Sequence, residues 1–227
     1  ETHLSQQLGD LSRWLTDGLR LAFLPSTRGV RLRITALGDD ANGRLDPFEA
    51  FIRKRARKYI YGADEESLEG VLGEQLALRG LTIATAESCT GGHLADRITN
   101  APGSSRYFNG GMVAYGNYIK RDLLGVPESS LGNAGAVSAE VAAAMVVGAR
   151  RQLSSDIALS TTGIAGPGGG SDDKPVGLVY VGYADAQRSF ARRFLFTDDR
   201  RTNKDLSATY ALYIAWRVLN SGHEAFP

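Results

Sequence analysis

From residue 63 onward, short apolar runs alternate with helix-period segments, and that alternation constrains the fold more than any other feature of the chain. "LTIATAES" (81–88), "NGGMVAYG" (109–116), "SSDIALSTTG" (154–163) and "GLVYVGYAD" (177–185) read as buried strands. Helical patterns run over Ser67–Leu78, Ala139–Leu153 and Asn203–Leu219, with Gly80 as a C-cap for the first. Strands alternating with helices predict an α/β fold, a three-layer α/β/α domain over 63–227 built on a mixed, largely parallel sheet. Ligands of such a domain sit where strands run out into loops.

The first 62 residues read differently, as a small α+β domain. Leu4, Leu8, Leu11, Leu15 and Leu19 recur at spacings of three and four, which predicts a helix over Leu4–Leu21, ended by Pro25 and Ser26. "GVRLRITALG" (29–38) alternates apolar and polar residues as a half-buried strand does, and "PFEAFIRKRARKYIY" (47–61) predicts a helix with Pro47 in its first turn. "GADEESLEG" (62–70) marks the boundary.

Composition excludes several function classes. Twenty-six Lys and Arg against 25 Asp and Glu leave a net charge of +1, which favours neither nucleic acid nor a membrane surface. "RKRARK" (53–58) is answered by Asp64, Glu65, Glu66 and Glu69, so it reads as a solvated helix face rather than a polyanion site. One cysteine and three scattered histidines allow neither an intramolecular disulfide nor a Cys/His zinc cluster. No metal or cofactor is expected, and the cysteine usage fits a reducing, cytoplasmic setting. The sequence shows no membrane-length apolar run and no signal peptide at its start, and a first residue of Glu suggests that a longer protein was cut.

The chemistry concentrates in four stretches. "ATAESCTGG" (84–92) follows a strand and precedes the helical "GGHLADRIT", which places Ser88 to Gly92 at a helix N-terminus, able to hold an oxyanion or phosphate; equally, Ser88 or Thr90 is an N-cap and Gly91 and Gly92 form the turn. A serine nucleophile needs a base. His3 lies in the first helix, His223 in the C-terminal tail and His93 on the surface of the helix after Ser88, so a Ser-His-Asp triad is not expected. Lysine is the remaining kind of base. In "VAYGNYIKRDLLGV" (113–126), Asn117 can cap a short helix that Gly125 closes, and Lys120 falls in its first turn, where the dipole disfavours an ammonium; an exposed lysine beside Arg121 is the bland alternative. Cys89 competes as nucleophile, since a helix N-terminus also lowers a thiol pKa. "STTGIAGPGGG" (160–170) offers the hydroxyls of Thr161 and Thr162 and the amides around Gly163 and Gly166 to a phosphate or carbonyl oxygen, without the Lys-Ser/Thr ending of an ATP-hydrolysing loop. Finally, "TDDRRTNK" (197–204) opens the last helix with Arg200, Arg201 and Lys204, which either bind an anion or pair with Asp198, Asp199 or Asp205.

Taken together, "TIATAESCTGG", "PGSSRYFNGGMVAYGNYIK", "LLGV", "GAVS" and "ALSTTGIAGPGGG…KPVGLVYVGY" closely resemble the C-terminal domain of the CinA family, the PncC type of nicotinamide-nucleotide amidase, from about Leu68 to Leu219. The resemblance implies hydrolysis of the carboxamide of nicotinamide mononucleotide to nicotinate mononucleotide and ammonia, without a metal. It implies Ser88 as nucleophile, Lys120 as base, Tyr115 and Asn117 completing the site, Thr162 near the reacting amide or oxyanion, and Arg200 with Lys204 on the 5′-phosphate. The family usually has Gly-Asp-Arg where this chain has Asp198-Asp199-Arg200, and an Arg where Lys204 aligns. A homodimer is implied as well. The first 60 or so residues resemble the family's KH-like middle domain but lack a GXXG loop, so nucleic acid is not an expected partner. A nucleotide-pyrophosphatase domain precedes this part in full-length members, and no such activity is expected of this chain. Two other functions stay open: a non-catalytic nucleotide- or partner-binding module linked to competence and recombination, and a thiol enzyme using Cys89.

Overall fold

The computed structural model describes residues 2–16 and 18–221 and divides the chain into two compact units, Glu1–Ala63 and Asp64–Pro227. In the first, helix α1 (Thr2–Leu8) leads to a hairpin of β1 (Leu19–Ser26) and β2 (Gly29–Ala36), followed by α2 (Ala41–Ala56). The helix expected over Leu4–Leu21 is therefore wrong. Gly9, at φ +74°, ends the helical backbone, the Asp10 carboxylate accepts from the Ser12 amide at 2.8 Å, and Leu19 enters β1 opposite Ala36. Leu8 and Leu19 still meet in one core with Phe48, Ile52 and Ala56, with Leu4 and Leu11 packed against it, whereas Leu15 is exposed. The leucine spacing was shared between a helix, a turn and a strand. Pro25 and Ser26 lie in β1 and pair with Val30 and Gly29 rather than ending a helix. Pro47 sits inside α2 and not in its first turn, because Gly38 (φ +97°) turns the chain out of β2 early and the helix starts at Ala41. The basic residues of 53–58 are exposed, as read.

The second unit is a three-layer α/β/α domain. Its elements are α3 (Leu68–Leu78), β3 (Ile83–Glu87), α4 (His93–Thr99), a 3-10 turn (Ser104–Arg106), β4 (Phe108–Val113), α5 (Asn117–Asp122), α6 (Glu128–Asn133), α7 (Ala139–Gln152), β5 (Ile157–Gly163), β6 (Leu178–Ala184), β7 (Ser189–Leu195) and α8 (Arg200–Ser221). The sheet order is β4-β3-β5-β6-β7, with β3 parallel to both neighbours, β6 antiparallel to β5, and β7 antiparallel to β6. Only β6 runs against the others, which makes the sheet mixed and largely parallel. The sequence reading missed β7: it has arginines at 192 and 193 and only half-buried aromatics, so its alternation is blurred as an edge strand's can be.

Helix α7 covers one face of the sheet, where Val141, Met145, Val146 and Ala149 pack on Ala86, Ala158 and Ala184. Small residues let it come close. A Cβ on Gly182 would lie 2.7 Å from the Ala142 carbonyl oxygen, so only glycine fits there. Helices α3, α4 and α8 cover the opposite face. There the buried Arg97 of α4 donates to Glu69 of α3 at 2.8 Å and to Thr209 of α8 at 2.6 Å, tying the three helices together with charge-assisted bonds. Ser67 caps α3 by accepting from Gly70 N–H at 3.1 Å, and Gly80 (φ +62°) closes it. These two faces fix the ends of β3 and β5, where the chemistry-bearing loops begin.

Candidate active site at the ends of strands 3 and 5

Strand β3 is buried throughout and ends at Glu87, paired with Thr161 of β5; the Ser88 amide then donates to the Thr161 carbonyl at 2.9 Å. Ser88 is thus held on sheet backbone just as the chain leaves it, and it is half-buried. The following turn differs from expectation in one respect that matters. Glu87 is 1% exposed, and its carboxylate accepts from the backbone N–H groups of Gly92 at 2.9 Å, Leu94 at 3.0 Å and Ala95 at 2.8 Å. The N-terminus of α4 is therefore already filled by the protein's own anion, and it is not a free oxyanion or phosphate site. Neither Ser88 nor Thr90 is an N-cap. That position is Gly92, at φ +96°, and the buried Thr90 hydroxyl instead shares a 2.6 Å hydrogen bond with the Thr161 hydroxyl. The backbone N–H groups of Cys89 and Thr90 donate to no protein oxygen among the described residues. The sequence reading passed over Glu87, although a carboxylate at the end of an apolar strand, just before a helix start, was a legible signal.

Lys120 lies in α5, 1% exposed, and its Nζ donates to the Tyr115 carbonyl at 2.9 Å, its one side-chain hydrogen bond among the described residues. Burial pushes its pKa below the ordinary lysine value, partly opposed by the nearby Cys89. The exposed-surface alternative for Lys120 is excluded, and Arg121 takes that place, paired with Asp122. Asn117 is the first helical residue and is exposed; Gly116 occupies the cap without a side-chain bond, so Asn117 does not cap α5. Gly125 (φ +69°) closes the helix through a bond from its N–H to the Arg121 carbonyl at 3.0 Å.

Cys89 is buried, and desolvation pushes its thiol up to about 12, against the lowering expected at an open helix terminus. Cys89 and Lys120 feel each other electrostatically. Thr162 is also buried, but its hydroxyl donates to the Ala136 carbonyl at 2.7 Å ahead of α7, so its proton is committed away from a ligand. Gly163 lies against β6, where a Cβ would sit 2.6 Å from the Leu178 carbonyl oxygen.

The long glycine loop is pinned to the head of α8. Gly166 offers its carbonyl to Arg200 Nη1 at 2.7 Å, while Arg200 Nη2 reaches the exposed Tyr115 hydroxyl at 3.4 Å. The residue that organises this junction, Asn203, escaped the sequence reading. It is fully buried, and its amide donates to the Ala165 and Thr197 carbonyls, both at 2.9 Å, while its oxygen accepts from Thr197 N–H at 2.9 Å and Oγ1 at 3.0 Å. Beside it opens a cleft of about 470 Å³ lined by His93, Asp199, Arg200, Arg201, Lys204 and Asp205. Lys204 makes no ion pair or side-chain hydrogen bond among the described residues, and a Cβ on Gly91 would come within 3.8 Å of its Nζ. The Tyr115–Arg200 bond thus ties the cationic cleft to the residues just ahead of the lysine helix, and Lys204 Nζ lies near Gly91 of the serine turn. His93, the first residue of α4, is half-buried rather than on the open surface, with Nε2 2.8 Å from Asp205. His223 lies outside the described residues. Among the described residues no cluster of His, Cys, Asp and Glu could hold a metal ion, and no helix is long and apolar enough to cross a membrane.

The fold defines the class, a three-layer α/β/α domain on a mixed sheet whose loops and helix starts lie beyond the ends of β3, β4 and β5. Residues 65–219 match the CinA C-terminal domain and residues 1–62 the damage-inducible protein CinA KH domain, and the chain belongs to the CinA family. A CinA-like protein of Salinibacter ruber is 51% identical over 222 residues, covering 97% of this chain and 54% of that protein, and one of Chloroherpeton thalassium is 45% identical over 228 residues with the same coverage. The chain spans about half the length of these relatives. Among solved structures, a competence/damage-inducible protein of Agrobacterium tumefaciens superposes with a TM-score of 0.64 at 35% identity over 70% of this chain and 100% of that one. A CinA-superfamily protein of Klebsiella pneumoniae gives 0.65 at 30% identity over 67% of this chain and 95% of the other.

Proposed function

We propose that this chain hydrolyses the carboxamide of nicotinamide mononucleotide, releasing ammonia and nicotinate mononucleotide, with Ser88 as nucleophile and Lys120 as its base. The observation that carries the reading is the burial of Lys120. A lysine that is 1% exposed and holds one hydrogen bond, to a carbonyl, stays buried at a cost unless its neutral form is wanted. A neutral amine beside a serine turn is what a serine amidase needs.

In this mechanism Lys120 Nζ takes the Ser88 hydroxyl proton as Oγ adds to the carboxamide carbon. The tetrahedral intermediate collapses, the C–N bond breaks, and the lysine returns the proton to the departing ammonia. Water, deprotonated by the same amine, then hydrolyses the acyl-serine ester and regenerates both groups. The backbone N–H of Thr90 is a candidate donor to the oxyanion, since those of α4 are taken by Glu87. Arg200 and Lys204 hold the 5′-phosphate in the cleft, and Tyr115, bonded to Arg200, flanks the substrate. The Thr90–Thr161 pair, Gly91, Gly163 and Gly166 shape the walls; Asn117 and Thr162 contribute through backbone placement.

Purified chain incubated with nicotinamide mononucleotide should release ammonia, with Ser88→Ala and Lys120→Ala inactive while nucleotide binding persists. Absence of turnover in the unsubstituted chain, with binding intact, would favour a nucleotide-binding module instead.

A further inference from the structure

The cleft at the head of α8 contains a charge arrangement that the amide chemistry does not use. Arg200, Arg201 and Lys204 face two carboxylates, Asp199 and Asp205, across the same 470 Å³ space, which leaves a surplus of one positive charge. Asp199 is engaged in its own turn, accepting from Thr202 N–H at 2.7 Å. Among the described residues Asp205 has no such backbone partner, and its ion-pair partner is His93, with Nε2 2.8 Å from Oδ1; His93 in turn has Nδ1 3.9 Å from Asp96 on α4. Both members of the pair are only partly exposed, at 27% for the His93 side chain and 33% for Asp205. They hold each other at the mouth of a site otherwise suited to a phosphate.

We infer that His93 is a specificity-determining residue of the anion subsite, which masks Asp205 and sets how strongly the cleft attracts a doubly charged oxyanion such as a phosphate monoester. Unmasked, the Asp205 carboxylate repels a dianion from within the lining itself. With an imidazolium against it, that repulsion is cancelled and the surplus in the cleft doubles to two positive charges. Histidine side chains gain their proton between about pH 5 and 8. The charged groups facing His93 are Asp96 and Asp205 and, in the same cleft, Lys204, Arg200 and Arg201. An imidazolium at His93 and a seated dianion attract each other, so the cleft binds an oxyanion that stays doubly charged more tightly as the pH falls.

This inference rests on the assignment of the cleft to phosphate, and the test separates the two. Inorganic sulfate is the probe, because it stays a dianion across the range in which a phosphate monoester itself titrates. Calorimetric titration of the full chain with sulfate should show about three- to tenfold tighter binding at about pH 5.5 than at about pH 8, the scale of one added charge in a solvated cleft. His93→Gln should bind sulfate with a flat pH response, and Asp205→Asn should bind more tightly than the unsubstituted chain at the higher pH. A His93→Gln variant that keeps the full pH response overturns the inference. Sulfate binding unaffected by Lys204→Met in an otherwise normal chain overturns the phosphate assignment beneath it.

Discussion

Replacing Glu87 by glutamine tests how the serine turn is built. The carboxylate is 1% exposed and accepts three backbone N–H bonds of 2.8–3.0 Å from Gly92, Leu94 and Ala95, split two on Oε2 and one on Oε1. Glutamine keeps one acceptor oxygen and turns an NH₂ group toward an N–H. In the better rotamer two bonds survive without their charge, losing about 1 kcal/mol in all, and the Ala95 N–H is left facing a donor in a dry site, costing about 2 kcal/mol more. The sum, about 3 kcal/mol, corresponds to a fall in Tm of roughly 6–12 °C for a chain of this size. Thermal unfolding followed by circular dichroism reads it directly. Because α4 begins right after the turn, Glu87→Gln should also lower amide hydrolysis even well below its own Tm. A Tm within about 1 °C of the unsubstituted protein would refute the claim that this carboxylate holds the helix terminus.

Other perturbations separate structural from chemical roles. Lys120→Met should raise Tm or leave it unchanged, since a desolvated amine is replaced by an apolar side chain, while activity disappears; loss of stability would mean that the lysine is structural. Because burial lowers the folded pKa of Lys120, the unfolded chain binds the extra proton as pH falls through the window between the folded and ordinary values. Stability should therefore rise with pH through that window, activity should rise as the pH passes the folded value at its lower edge, and a flat activity profile would count against a lysine base. Cys89→Ala should retain amidase activity, and in the native protein the thiol should resist alkylation at pH values where an exposed thiol reacts; rapid labelling at neutral pH would contradict its burial. Asn203→Leu leaves the Thr197 N–H and the Ala165 and Thr197 carbonyls without their buried partner, and should destabilise the chain by about 3 kcal/mol and weaken phosphate-ester binding, measured by denaturant titration and calorimetry.

The strand-helix alternation after residue 63 was legible because buried strands and amphipathic helices differ in period. So was the placement of Ser88 at a strand end, of Lys120 in the short helix after β4 and of Arg200 at the head of the last helix. What the chain hid were contacts between residues distant in sequence. Nothing near Asn203 announces that it will bind the Ala165 carbonyl, and the leucines of the first unit fit a helical period while belonging to a helix, a turn and a strand. Glu87 shows the converse failure. Its partners are local, and the carboxylate at the end of β3 itself fills the helix terminus that a bound anion would otherwise occupy.

The central claim is covalent catalysis by Ser88, and acid-quenched mass spectrometry of the chain during turnover of nicotinamide mononucleotide tests it most directly. The account predicts an acyl group of the nicotinate nucleotide on the peptide carrying residues 88 and 89, fragmenting to Ser88 and absent in Ser88→Ala. An adduct on Cys89, or steady ammonia release with no adduct under conditions that slow deacylation, would contradict it.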